Sequence, residues 1–180
     1  MAELSNMPEL EISIDELKNW GQKWRSTTNI LTRKAKKIDA FDRQQSVNFA
    51  SFLDMAFGCS LAHMLGGIRI IKPNSRALIP ADPDVVEVGP VRIIGGIRPQ
   101  NYDVAYRPDG PRVVFDSKSL NDRDSIRKNW QNMVNDLGTE ATTVHTRFPY
   151  SIVAFMVVLP KPALEAKQEH DIIRTLERLA

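Results

Sequence analysis

The chain has 180 residues, of which 42% are hydrophobic and 26% charged, which is ordinary globular composition and predicts one domain spanning 1–180. It contains no run of about 18 apolar residues and no apolar signal region near its start, so we expect no membrane span and a cytoplasmic location. The formal net charge of +2 does not by itself indicate a nucleic-acid partner, so the local distribution of charge must decide.

Helical patterns dominate the first 65 residues. Ser13 and Glu16 have capping-box spacing, and apolar residues follow at helical intervals, which predicts a helix over roughly 14–25. The segment 27–65 is predicted to be helical through most of its length, with an apolar arc wide enough to pack between other elements. We therefore expect residues 1–40 to form an N-terminal helical extension of a core that begins at residue 41.

Strand and helix patterns alternate through the rest of the chain. Residues 72–90 hold four of the eleven prolines and predict a loop or an irregular edge. The continuous apolar run 151–160 is typical of a strand buried on both faces. The other predicted elements are a strand over 91–98 with a glycine pair that marks a bulge or bend, a hairpin over 102–120, a helix over 122–137 ended by Gly138, and a C-terminal helix within 161–180. This order predicts an α/β or α+β sheet with helices on its faces.

The hairpin YDVAYRPDGPRVVFDSKSL contains three aspartates, Asp103, Asp109 and Asp116, and a fourth, Asp122, follows it. Asp109 belongs to the turn, because Pro-Asp-Gly is turn chemistry. If PDGP is a four-residue loop, opposed residues have numbers that sum to 219, and Asp103 faces Asp116. Since side chains alternate along a strand, Lys118 points to the same face as Asp116.

Like charges directly opposite one another destabilise a sheet, so this pair needs a compensating partner. Oxygen ligands without a nearby His or Cys favour Mg²⁺ or Mn²⁺. Asp122 is better explained as a helix cap, a role that Asn121 also suits. The alternative is an exposed hairpin whose charges serve solubility. The apolar run before Asp116 argues against it, because such a run is typical of the middle of a sheet.

The pattern of Asp103, then Asp116-Ser117-Lys118 after a hydrophobic run, then a helix and another strand, resembles the PD-(D/E)xK nucleases, which include type II restriction endonucleases. The resemblance covers roughly 41–160 and implies an αβββαβ core. The sequence departs from the pattern in having Tyr102 where proline precedes the first acid. Pro83-Asp84 is a literal Pro-Asp pair and a competing first carboxylate. In the family an extra acid often comes from the helix before the sheet, and Asp54 is the candidate here.

By resemblance, Asp103 and Asp116 would hold Mg²⁺, with the backbone carbonyl of Ser117 as a further ligand and Mn²⁺ as a substitute. The cation would activate a water for attack on the scissile phosphate, and Lys118 would orient that water and stabilise the growing charge. The resemblance also implies double-stranded DNA as substrate and a homodimer that cuts both strands.

Two groups of polar side chains are candidates for contacts with DNA, with a solvated surface as the alternative for each. Lys and Arg usually contact phosphates, and Asn can read base edges. The basic candidates are Arg33, Lys34, Lys36 and Lys37 before the second helix and Arg123, Arg127 and Lys128 on the helix after the hairpin, where Asn132 is the candidate for base contacts.

Other chemistries find less support in the sequence. No Walker or GxGxxG sequence occurs, so we expect no nucleotide cofactor. Cys59 is the only cysteine and lies in an apolar pattern, where a buried inert thiol is expected. The leading hypothesis is a restriction-type endonuclease. The alternatives are a nuclease of repair, recombination or transposition and a catalytically inactive DNA-binding module of the same fold.

Overall fold

In its described residues, the computed structural model has two helices, then four consecutive strands, and then a helix, a strand and a last helix. It describes residues 10, 12–29, 32–74, 76–80, 82–164 and 166–178, without the side chains of residues 127, 166 and 167. The helices are α1 (Ile14–Arg25), α2 (Arg43–Met64), α3 (Arg123–His145) and α4 (Ala166–Leu176), and the strands are β1 (Arg69–Ile71), β2 (Val85–Ile94), β3 (Pro99–Tyr106), β4 (Val113–Ser119) and β5 (Ile152–Val158). A 3₁₀ turn at Lys161–Ala163 precedes α4. In the described part of the chain, no helix is both long and apolar enough to cross a membrane.

The five strands form one mixed sheet in the order β1-β2-β3-β4-β5. β2, β3 and β4 are antiparallel neighbours, whereas β1 runs parallel to β2 and β5 runs parallel to β4. Parallel neighbours need a crossover connection, and α3 supplies it between β4 and β5. The chain is therefore a mixed α/β protein, which confirms the fold class predicted from the order of elements at this level.

The sheet separates two apolar clusters, one against α2 and one against α3. Val114 packs in a cluster with Val144 of α3, while the next residue, Phe115, packs in a cluster with Leu61 of α2. Successive side chains of β4 thus point to opposite helices, as the twofold alternation of a strand requires. Both faces of the central strands are covered, and the charged side chains of β4 lie on the face that packs against α3.

The second predicted helix begins later than the apolar pattern indicated. α2 starts at Arg43 because Asp42 caps it: the Asp42 carboxylate accepts from the Gln45 backbone N–H at 2.8 Å, and the Gln45 side chain returns a capping-box contact. Residues 32–42 are not helical, and Arg33 and Asp39 have φ values of 55° and 53°. Among the described residues of the N-terminal extension, 10, 12–29 and 32–40, α1 is therefore the only helix, and its Trp20 packs edge-on against Phe49 at 5.2 Å between ring centroids.

The prediction that residues 72–90 form a loop is wrong for its last part, because β2 begins at Val85. Val85 and Val86 are fully buried and suit a pleated sheet. Gly89, at φ 127°, lies where the register between β2 and β3 shifts, between Val88 and Val91. The bulge is therefore at Gly89, since a bulge accommodates glycine and proline inside a strand.

The predicted end of the third helix at Gly138 is also wrong. α3 continues to His145, and its later turns bury Val144 against the sheet. The stabilisation from packing this face of α3 on the sheet exceeds the destabilisation by one glycine inside a helix, which is about 1 kcal/mol relative to alanine. The predicted bend at the glycine pair follows β2 and contacts α3, because the Gly96 N–H donates to the Thr143 carbonyl at 2.8 Å. A side chain at Gly95 would prevent this approach, since its Cβ would lie 2.2 Å from the same oxygen.

β5 is not buried on both faces, contrary to the prediction from its apolar run. It is the last strand of the sheet, so its outer edge has no neighbouring strand among the described residues. Ile152 is 62% exposed, and the remaining residues of the strand are half-buried. An apolar run predicts burial of side chains, but the position of a strand in a sheet depends on long-range pairing. The C-terminal helix begins at Ala166 after the 3₁₀ turn.

Candidate active site

The register of the β3–β4 hairpin places two of its aspartates together. The paired residues are Val104 with Phe115, Ala105 with Val114 and Tyr106 with Val113, and each pair sums to 219 as the PDGP turn predicts. The next step along this register sets Asp103 opposite Asp116. Asp109 stays in the turn, where it forms an exposed ion pair with Arg112.

Asp103 lies at the point where β3 separates from β4, and it binds the backbone of the opposite strand. Its carboxylate accepts from the Ser117 N–H at 2.9 Å. The Ser117 hydroxyl lies 3.2 Å from Asp103 Oδ2 and 2.7 Å from Oδ1 of Asp54 on α2. Ser117 therefore connects the two acids, and the structure places Asp54, the candidate extra acid from the preceding helix, beside Asp103.

Asp116 and Lys118 point toward α3, where they meet a further acid. The Lys118 ammonium donates to Asp116 Oδ2 and, at 2.9 Å, to Glu140 Oε1. The side chain of Asp116 is 8% exposed, that of Glu140 6% and that of Lys118 23%. The predicted common orientation of Asp116 and Lys118 is confirmed, and one cation serves two buried carboxylates.

Burial raises the pKa of the aspartates in this cluster. Burial, with a further contribution from the Asp103 charge, raises the pKa of Asp54 to about 7. Burial and the contact with Asp116 raise the pKa of Asp103 to about 7, and burial also raises the pKa of Asp116. Burial alone would lower the pKa of Lys118, but its hydrogen bonds with Asp116 and Glu140 outweigh burial and raise it. The site therefore favours uptake of positive charge, as protons or as a cation.

The oxygen donors of the site fit a hard divalent cation. Asp103 is half-buried, Asp116 is buried, and Ser117, which follows Asp116 in the chain, binds the Asp103 carboxylate through its backbone N–H. Within the described residues, no group of three or more His, Cys, Asp or Glu side chains is arranged to hold a metal ion. Mg²⁺ is usually bound by one or two carboxylates together with waters and substrate phosphates, so two acids are sufficient for it.

Glu140 is the site residue that the sequence reasoning missed. Ending the helix at Gly138 left it outside any predicted element. Its signal in the sequence is its place on the apolar stripe of α3, three residues after Leu137 and four before Val144, both of which are buried. A carboxylate at a core position of an amphipathic helix indicates a buried partner, which here is Lys118.

The competing acid, Asp84, lies away from this cluster. It is exposed and immediately precedes β2, at the end of the strand beside the hairpin turn. Its N–H donates to the Asp82 side chain at 2.9 Å, which is a local turn contact. The structure therefore brings Asp103, and not Asp84, next to Asp116.

The first basic cluster lies in the non-helical segment before α2. Arg33 and Lys34 are exposed. The Lys36 ammonium donates to the backbone carbonyls of Ala40 at 2.5 Å and Trp24 at 3.2 Å, so it is used inside the protein. The exposed ammonium of Lys37 forms ion pairs with two acids of the α3 N-terminus.

The second basic cluster adjoins the first because α3 begins beside that segment. Asp122 caps α3 by accepting from the Asp124 N–H at 3.0 Å, as predicted, and also binds Lys37 at 2.6 Å. Arg123 pairs with Asp39 at 2.9 Å. Lys128 and Asn132 are exposed on α3, and the side chain of Arg127 lies outside those that the structure describes. The two clusters form one surface in which local acids partly neutralise the cations.

Comparisons of this chain with protein-family models, with curated proteins and with solved structures find no match. The functional argument therefore depends on the geometry and chemistry of the site.

Proposed function

We propose that this chain is a Mg²⁺-dependent endonuclease that hydrolyses phosphodiester bonds of double-stranded DNA, with a site of the PD-(D/E)xK type. The observation that carries the proposal is the meeting of Asp103, Asp116 and Lys118 where β3 and β4 separate. The order α2-β1-β2-β3-β4-α3-β5 supports it, because it contains the αβββαβ order of those nucleases with one additional short strand, β1, after α2. The buried acids of raised pKa give further support, since perturbed groups of this kind are frequent at functional sites.

Asp103, Asp116 and the backbone carbonyl of Ser117 would hold the Mg²⁺ ion. When bound there, the ion supplies Lewis acidity toward the scissile phosphate and lowers the pKa of a water. Asp54 adds a carboxylate from the α2 side through its hydrogen bond with Ser117. Lys118 would orient the attacking water and stabilise the negative charge that grows on the phosphate oxygens, a role that suits a compact charge on a flexible stem.

Duplex DNA is the proposed substrate, and two copies of the chain, one for each strand, are the proposed assembly. Exposed Lys34 and Lys128 would contact phosphates, which position a protein on DNA without reading its sequence. Asn132 is exposed on α3 and would read base edges. The cytoplasm is the proposed location, since the substrate is intracellular DNA.

The test is the incubation of mixed plasmid DNA with the protein in Mg²⁺, in Mn²⁺ and in EDTA, followed by sequencing of the ends. Discrete fragments that require the divalent cation support the proposal. Lys118→Met should reduce cleavage to a residual rate that is measurable only at high enzyme concentration, whereas Asp84→Asn, an exposed acid away from the cluster, should leave it unchanged.

Two other outcomes would replace the proposal by an alternative. A preference for branched, nicked or single-stranded DNA would indicate a nuclease of repair, recombination or transposition. Binding of DNA in EDTA with no cleavage in any divalent cation would indicate an inactive binding module.

A further inference from the structure

Glu140 stands apart from the other acids of the site because it lies on α3 and not on the hairpin or α2. Its side chain is 6% exposed, and one of its oxygens, Oε1, accepts from Lys118 at 2.9 Å. Its other oxygen, Oε2, is buried and has no hydrogen-bond partner among the described residues. A buried carboxylate with an oxygen left free is costly, so its retention needs a reason.

The segment of α3 that carries Glu140 is fixed to β3. The Tyr102 hydroxyl donates to the Glu140 backbone carbonyl at 2.8 Å, and Tyr102 is 1% exposed. Gln100 Nε2 donates to Glu140 Oε1 at 3.2 Å. These two contacts hold the carboxylate at a fixed distance from the strand that carries Asp103.

Lys118 has two carboxylate partners, and only one of them is a proposed ligand of the cation. If Asp116 held a cation, the charge of that cation would repel the Lys118 ammonium and weaken its contact with Asp116. Glu140 would then remain as the partner of Lys118, and its Oε2 would offer a second acceptor for the three N–H groups of the ammonium.

We infer that Glu140 is the positioning residue of Lys118, holding the ammonium beside the scissile phosphate while Asp116 binds the cation; this inference rests on the proposed nuclease function. Glu140 touches neither substrate nor cation in this role and acts through Lys118. The two roles, binding the cation and holding Lys118, fall to residues on different elements. Asp116 is on β4 with Lys118, whereas Glu140 contacts Lys118 from α3.

The test is a double-mutant cycle in Mg²⁺-dependent DNA cleavage. Glu140→Gln is expected to lower kcat by about 10- to 100-fold, because small misplacements of a catalytic group have effects of this order, with the KM for DNA and the half-saturating Mg²⁺ concentration unchanged. In a Lys118→Met background, assayed at high enzyme concentration so that the expected residual rate is measurable, Glu140→Gln should cause no further loss. Asp136→Asn is the matched control, an exposed acid on the same helix, and should leave kcat unchanged.

A second variant covers the case in which Glu140→Gln does not fold, which circular dichroism would report. Glu140→Asp keeps the buried charge but shortens the reach to Lys118, and it should lower kcat by a smaller factor that also vanishes in the Lys118→Met background. Equal losses in both backgrounds, or a shift in the half-saturating Mg²⁺ concentration, would overturn the inference and leave the proposed function standing. A wild-type protein that cleaves no DNA would remove the proposed function, and the inference with it.

Discussion

The sheet buries charge in two places, and the two places are built differently. Glu87 of β2 and Arg107 after β3 are each 2% exposed, and the guanidinium binds the carboxylate through Nε at 2.5 Å and Nη2 at 2.9 Å. Arg107 Nη1 also donates to the Leu78 carbonyl at 2.7 Å. One positive and one negative charge cancel, and the two-pronged geometry suits a structural pair.

The cluster around Asp116 is not balanced in this way. Lys118 is the cation in contact with Asp116 and Glu140, while Asp103 and Asp54 lie on the other side of Ser117. Burial raises the pKa of both Asp54 and Asp103 to about 7. Buried charge by itself therefore does not identify a functional site. The informative feature is an excess of one sign that the protein's own residues do not cancel.

The largest effect is expected from Asp116→Asn, which removes a proposed cation ligand. Cleavage should fall on the order of a thousandfold or more, equivalent to about 4 kcal/mol in the activation barrier. The rate of plasmid cleavage at saturating Mg²⁺ measures it. Asp109→Asn, an exposed aspartate of the same hairpin, is the control and should cleave at the wild-type rate. Equal rates for the two variants would contradict the proposed role of Asp116.

The next effect should appear in stability when the balanced pair is broken. Arg107→Met leaves Glu87 buried without its partner and should lower the free energy of unfolding by about 3–5 kcal/mol. Denaturant unfolding measures this. Adding Glu87→Gln should restore part of the loss, because the uncompensated charge is then gone. A destabilisation of less than about 1 kcal/mol in Arg107→Met would show that the pair does not act as a structural unit.

A smaller effect is expected in the pH dependence of stability. Because their folded-state pKa values are raised to about 7 from 3.8, Asp54 and Asp103 bind protons more tightly in the native protein than in the unfolded chain. Their contribution to stability is complete below about pH 4 and is lost as the pH rises through about 7. Without divalent cations, the free energy of unfolding of Asp54→Asn should therefore fall less steeply over this range than that of the wild type.

Mg²⁺ should flatten the same decline in the wild-type protein, since the cation replaces the protons on the carboxylates. Urea unfolding at pH 5 and pH 7.5, with and without Mg²⁺, measures both effects. Identical pH dependence in the wild type and Asp54→Asn would argue against a buried, charge-coupled Asp54.

The smallest effects are expected from substitutions of Lys34 and Lys36, which should differ in the property that they change. Lys34→Ala removes an exposed charge, so it should lower the salt dependence of DNA affinity by about one phosphate contact and change stability by less than about 0.5 kcal/mol. Lys36→Ala should lower stability instead, because its ammonium binds the Ala40 and Trp24 carbonyls. Fluorescence titrations with DNA at several salt concentrations measure the salt dependence of affinity, and Lys18→Ala is the exposed control. Equal salt slopes for wild type and Lys34→Ala would remove Lys34 from the DNA surface.

Short-range features of the sequence were sufficient for the hairpin. The Pro-Asp-Gly turn set the register, and strand alternation then placed Asp103 opposite Asp116 and Lys118 on the face of Asp116. The sequence predicted the boundaries of α2 and α3 less well. The Asp42 cap starts α2 later than the apolar pattern indicated, and the contact of Thr143 with Gly96 helps to extend α3 past the glycine that was expected to end it. The bulge at Gly89 was missed for a similar reason, since glycine and proline indicate a loop unless a neighbouring strand pairs across them.

The sequence by itself determined which side chains oppose one another across the hairpin, because turn geometry and the period of two are local properties of the backbone. Only the tertiary structure decided that Asp54 approaches Ser117 from 63 positions away and that Glu140 approaches Lys118 from 22 positions away. It also decided that Lys36 turns inward and that β5 lies at the edge of the sheet. These arrangements depend on how helices pack on the two faces of the sheet, and packing between distant segments has no signature in a local window of sequence.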